Sequence, residues 1–135
     1  MLKLLNLSFL PKSPAAGLLI LRLSVGLSML LLHGRLKILN FSATAEKFPA
    51  LFGMSSSVNA GLAVFAEVVC SALIILGLFT RFAALMLAIT MATAFFMVHK
   101  ATLVGPGSGE LALVYLFAYV TLLFTGAGKF SADRS

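Results

Sequence analysis

Six side chains in this sequence can do chemistry that their surroundings cannot: Arg22, His33, Lys37, Glu67, His99 and Glu110. Arg22 lies inside an unbroken apolar run, and Glu67 lies near the middle of the next one. An arginine at the centre of a bilayer costs about 2.5–3.5 kcal/mol on insertion scales, so such residues need a partner inside the protein. The residue types present are two imidazoles, two cations and two carboxylates. Together they offer hydrogen-bond donors and acceptors for a small polar ligand, or ion pairs that fix one helix against another.

The elements that must position them are four apolar stretches, at about residues 15–33, 59–78, 82–99 and 110–125. Spanning the hydrocarbon takes roughly 20 residues, within a range of about 17–25. The first two runs meet this directly, and the last two recruit flanking residues at the interfaces. The runs are continuous rather than alternating, which favours helices over barrel strands. The expected fold is therefore all-α: a four-transmembrane-helix bundle forming a single domain over residues 1–135. Thr80-Arg81-Phe82 is too short for anything but a tight turn, and residues 105–109 (Gly-Pro-Gly-Ser-Gly) form a glycine-rich loop. The longest connection, about residues 33–59, carries Phe41, Phe48, Leu51 and Phe52 and reads as a short interfacial segment, with Ser42 a candidate helix cap. Met1–Leu10 is too short an apolar run for a secretory signal and is read as a segment on the membrane surface.

Composition agrees with a bilayer as solvent. Hydrophobic residues make up 61% of the 135 and charged residues 10%, against roughly 45–50% and about 25% in soluble domains. The formal charge of +6 comes from ten Lys and Arg scattered singly or in pairs. That pattern anchors helix ends; no basic helix with interleaved aromatics is present, which excludes nucleic acid as a partner. Cys70 is a lone cysteine in an apolar run, and it reads as a packing residue. No Cys/His spacing suits a metal, and the 105–109 loop lacks the strand and the Lys-Ser/Thr ending of a phosphate loop.

Four spans put both termini on one side. That side carries Lys3, Lys12, Arg81, Lys129 and Arg134, and the other Arg35, Lys37, Lys47 and Lys100. The bias of five to four points to cytoplasmic termini. On ideal helices Arg22 lies about 10 Å, and Glu67 about 16 Å, from the terminal side. This depth match predicts that the two face each other. Arg22, Gly26, Met29, His33 and, if the helix continues, Lys37 share a face, as do Ala60, Ala63, Glu67 and Ser71. Glu110, Phe117, Thr121 and Phe124 form a stripe on the fourth run. Alternating direction then places His33, Lys37, His99 and Glu110 in one layer above the Arg22–Glu67 pair. Two readings are open: a polar pocket facing the non-cytoplasmic side, or the internal scaffolding of a small bundle.

With those residues set out, the sequence resembles the DoxX family of small membrane proteins over about residues 18–131. The resemblance rests on Leu21-Arg22-Leu23 with Gly26, His33-Gly34 with Lys37, and Glu67. It continues through the 77–81 segment (Gly-Leu-Phe-Thr-Arg), His99, Gly109-Glu110-Leu111 and the 125–131 segment (Thr-Gly-Ala-Gly-Lys-Phe-Ser). Members of that family include subunits of thiosulfate:quinone oxidoreductases and of redox-stress complexes. The resemblance thus implies a quinone-linked redox component, or a membrane subunit of an oxidoreductase complex, in the bacterial inner (plasma) membrane. It also implies a possible partner redox subunit. The polar layer would suit a quinone headgroup or a small anion such as thiosulfate. No cofactor is covalently implied, and no flavin, haem or iron–sulfur signature is present, so a redox centre would belong to a partner. The alternatives are a non-enzymatic membrane scaffold or binding partner and, less favoured, a small-solute transporter, for which neither repeat nor broken helix is legible. Small-residue faces would permit a homo-oligomer. No residue is assigned a catalytic role.

Overall fold

A computed structural model describes residues 1–134. Among these residues all regular structure is helical. A short helix α1 (Leu2–Leu5) precedes the long α2 (Pro14–Leu39). Then come a loop helix α3 (Phe41–Lys47), α4 (Ser56–Leu76), α5 (Thr80–Val98) and α6 (Glu110–Thr125).

Local chemistry sets the ends. Ser13 accepts the Ala16 amide at 3.1 Å and Pro14 occupies the first turn of α2, where a missing N–H costs nothing. Ser55 caps α4 through the Val58 amide at 3.3 Å. Gly77 ends α4 in the left-handed region at φ +68°. Helix α3 begins at Phe41 after Asn40, so Ser42 lies inside it rather than capping it as its type suggested.

Three helices, α2, α4 and α5, are long and apolar enough to cross a membrane. The apolar α6 has 16 residues, about 24 Å at 1.5 Å per residue, against roughly 30 Å of hydrocarbon. The chain antiparallels itself step by step. Gly34 of α2 meets the backbone of Glu67, and Gly26 meets Ser71, Ile74 and Ile75. At one end of α6 Gly109 meets Phe95, and at the other Leu123 accepts from Arg81. The core is small and mostly apolar: Met29, Ala66, Cys70, Ile74, Ala84, Leu87, Tyr119 and Leu122 are buried. Outside it, large side chains such as Ile20, Leu32, Leu62, Phe96, Phe117 and Phe124 are exposed. Water would penalise that surface heavily; lipid does not.

Each long helix contains one widened turn of π type: Leu30–Gly34 in α2, Phe65–Cys70 in α4 and Ala94–Val98 in α5. Such a turn bonds i to i+5 and rotates the downstream residues relative to their place on an α-helix. In α2 this brings Gly34, rather than His33, against α4. A Cβ on Gly34 would lie 2.6 Å from the Glu67 carbonyl oxygen, which is backbone and cannot swing away. Gly34→Ala is therefore expected to destabilise the protein by about 1–3 kcal/mol, read as a lower detergent-solubilised Tm. An unchanged Tm would show that α2 and α4 do not approach this closely.

Candidate functional site

The six polar residues separate into different places. Arg22 and Glu67 do not pair, which corrects the expectation drawn from ideal depths. Arg22 is buried, 1% exposed, and its guanidinium points to the terminal end. It donates to the carbonyls of Ile74 at 3.0 Å and Ile75 at 3.0 Å at the end of α4, and to Ala127 at 3.2 Å and Phe130 at 2.9 Å in the C-terminal segment. The last carbonyls of a helix carry partial negative charge and lack intrahelical donors, so a cation satisfies them. A depth argument cannot see this partner, because it considers only side-chain charges.

The C-terminal segment is held there by a second contact. Asp133 accepts the amides of Phe79 and Thr80, each at 2.9 Å, and so caps α5. Phe79 sits at φ +49°, a left-handed conformation that costs a non-glycine residue about 1–2 kcal/mol. Burial alone would raise the Asp133 carboxyl, but the Thr80 and Phe79 amides and the Arg22 charge outweigh it and hold the group below the ordinary range.

Glu67 has a different partner. Its carboxylate, 2% exposed, receives Lys37 Nζ at 2.7 Å on both oxygens. Lys37 can reach it because α2 continues unbroken past His33 to Leu39. Lys37 remains 31% exposed. The exposed part borders a cavity of about 290 Å³ between α4, α5 and the 48–54 loop. Its walls are chiefly apolar, with Phe48, Phe52, Leu62, Ala63, Ile89 and Val98 among them. Leu62 and Ile89 are themselves about half exposed on the outer surface of two helices long and apolar enough to cross a membrane. The loop wall is fixed by Asn59, whose Nδ2 reaches the carbonyls of Leu51 and Ser55 at 3.1 Å and Met54 at 3.3 Å.

The other three residues stand apart from this cavity. His33 packs edge-on against Tyr115, with ring centroids 5.8 Å apart. Tyr115 donates to Ser28 at 2.8 Å and stacks on Tyr119, which donates to the Val25 carbonyl at 3.1 Å. The Nδ1 of His99 lies 2.8 Å from the Gly107 carbonyl and holds the glycine-rich loop in place. Glu110 is exposed in the first turn of α6, where negative charge suits the helix dipole. Its stripe with Phe117, Thr121 and Phe124 faces outward; the inward face of α6 is Ala112, Tyr115, Tyr119 and Leu122. Residue type and spacing alone did not single out Asn59, Tyr115 and Tyr119. The i, i+4 tyrosine pair in an otherwise apolar helix was the available signal.

The fold and this arrangement define a class: a helical integral membrane protein with a buried ion pair at the floor of an apolar cavity. The chain belongs to the DoxX family, whose profile matches residues 17–100. Two similar proteins are both described as uncharacterized proteins of Haemophilus influenzae. One is 39% identical over 111 residues, covering 78% of this chain and 81% of that protein. The other is 31% identical over 96 residues, covering 69% and 64%. No solved structure matches.

This geometry has two measurable consequences. Lys37→Met strands a buried carboxylate and is expected to cost on the order of 2–3 kcal/mol, below the about 3–5 kcal/mol for a fully buried pair because Lys37 is part exposed. Glu67→Gln should cost less, since the freed Lys37 can hydrate, and the double variant Lys37→Met/Glu67→Met should recover most of the loss in a thermal-unfolding cycle. For Asp133 the folded carboxyl titrates below its unfolded value. Its stabilising effect is thus present above the ordinary carboxylate range and is lost as pH falls through the lowered value. The Tm difference between wild type and Asp133→Asn should be full at about pH 7 and shrink as pH falls through the lowered carboxyl range; a difference independent of pH would remove the carboxylate from the cap.

Proposed function

We propose that this DoxX protein is the membrane component of a quinone-linked oxidoreductase system and holds a quinone headgroup in the cavity above Lys37 and Glu67. The observation that carries this reading is an apolar cavity beside the exposed apolar faces of α4 and α5, with one ion pair at its floor. At about 290 Å³ it lies at the small end of ligand sites, which run from about 300 to 1,000 Å³. It suits a ring-sized head whose tail remains in the bilayer. Lys37 supplies a donor to a ring carbonyl, while Phe48, Phe52 and Ile89 offer apolar contact to the ring. The quinone supplies the two-electron chemistry when bound, and the redox centre that feeds it belongs to a partner subunit. In the same reading α6 is a fourth span with interfacial ends. The termini are cytoplasmic and the membrane is the bacterial inner membrane.

A second reading, a non-enzymatic scaffold, is favoured by Arg22, His99 and Tyr119, whose polar groups all meet backbone carbonyls. The two readings part on ligand retention. Protein purified in mild detergent should yield quinone on organic extraction. Thr93→Trp at the cavity wall should abolish that yield without lowering Tm. Wild-type protein that carries no quinone and binds none on titration in nanodiscs would leave the scaffold reading standing.

A further inference from the structure

We infer that the cavity is selective for the oxidised, carbonyl form of its ligand: an uncharged amphiphile whose head accepts a hydrogen bond from Lys37. This rests on the quinone reading and adds to it which member of the redox couple is held. An ammonium group has three N–H donors. Lys37 Nζ lies 2.7 Å from both Glu67 oxygens, which engages at most two of its donors. No other protein acceptor meets Lys37 among the described residues, so at least one N–H is left over, and Lys37 is 31% exposed and lines the cavity.

The other polar groups of the cavity are committed differently. The Glu67 carboxylate is 2% exposed and both its oxygens already hold Lys37, so it offers a ligand hydroxyl little surface. Thr90 and Thr93 give their protons to the Met86 and Ile89 carbonyls, each at 2.9 Å, so the acceptors left at the cavity are neutral: the two hydroxyl oxygens and the Asn59 Oδ1. The amide N–H groups of Asn59 are taken by three carbonyls. The strongest free polar function is thus a cationic donor, and charge-assisted hydrogen bonds are roughly twice as strong as neutral ones. A carbonyl head uses it fully. A hydroquinone is a poorer acceptor and brings hydroxyl protons that find only weak partners.

Charge excludes other heads. An anion such as thiosulfate would draw Lys37 from Glu67 and strand a buried carboxylate, and a cationic head would add charge to an already neutral pair in an apolar site. The functional consequence is directional: a site that prefers quinone to quinol takes up the electron acceptor and releases the reduced product.

The test compares a decyl-substituted benzoquinone, its hydroquinone and thiosulfate, titrated anaerobically into wild-type protein in nanodiscs. The quinone is expected to bind about tenfold more tightly than the hydroquinone, from one charge-assisted hydrogen bond. That ratio would lower the midpoint potential of the bound couple by about 30 mV. Thiosulfate should not compete. Lys37→Met/Glu67→Met removes the donor with its partner and keeps the pair apolar, so it should bind both forms alike, while Lys37→Arg should keep the preference. Hydroquinone binding as tightly as quinone, or a preference that survives in the double methionine variant, overturns this inference and leaves the quinone reading intact. Failure of both forms to bind overturns the two together.

Discussion

A carboxylate inside hydrocarbon must be met by a cation, and in this protein the need of Glu67 organises one half of the bundle. Lys37 is its partner only because α2 extends a full turn past His33. The extension is useful only because Gly34 lets the two backbones touch, and Gly34 faces α4 only because the preceding turn is widened. Helix length, glycine position and helix phase are therefore consequences of a single pairing. Removing the lysine alone leaves the carboxylate with no water to turn to, whereas removing the carboxylate leaves a lysine that can still find some.

The other half of the bundle solves the same problem without a carboxylate in contact. Arg22 spreads its charge over four carbonyls, two at the end of α4 and two in the C-terminal segment. The guanidinium fork suits this role, having five donors in a plane. It joins the start of the chain to its end, and Gly77 is packed so closely beside it that a Cβ there would lie 2.7 Å from a guanidinium nitrogen. Asp133 then links the same segment to the start of α5. The terminal end is thus closed by directed hydrogen bonds, while the opposite end keeps a cavity.

Much of this was legible in the sequence. Apolar runs marked the long helices, and the Ala60, Ala63, Glu67 and Ser71 face is buried as its spacing requires. The family resemblance agrees with the profile match. The pairing of Arg22 with Glu67 was misread for two physical reasons. Depth was counted from the edges of apolar runs on ideal helices, and the only partner considered for a cation was an anion. Helix-end carbonyls are equally good partners but leave no mark on residue type. The direction of the α6 stripe was not legible, because aromatic residues on a lipid-bathed helix can face lipid, whereas the inward face is marked by tyrosines with hydrogen-bond partners. Asn59 was missed because its role, fastening a loop by three carbonyls, exists only once the loop has folded.

The widened turns connect these observations to function. Glu67 lies in the widened turn of α4, Ala94 and Val98 lie in that of α5, and Lys37 comes one turn after that of α2. All four border the same cavity. A π turn is a rare departure from the α-helix around it, and such turns appear frequently at functional sites. Two of them, in α4 and α5, contribute walls of that space, and the third, in α2, precedes the turn that carries Lys37 to it. Each widened turn displaces side chains from the line they would take on an ideal helix. Where the widened turns of α4 and α5 meet, helix–helix contact gives way to a cavity with the ion pair at its floor. The departures from regular helix, more than the number of charges, decide where the proposed site lies in this small bundle.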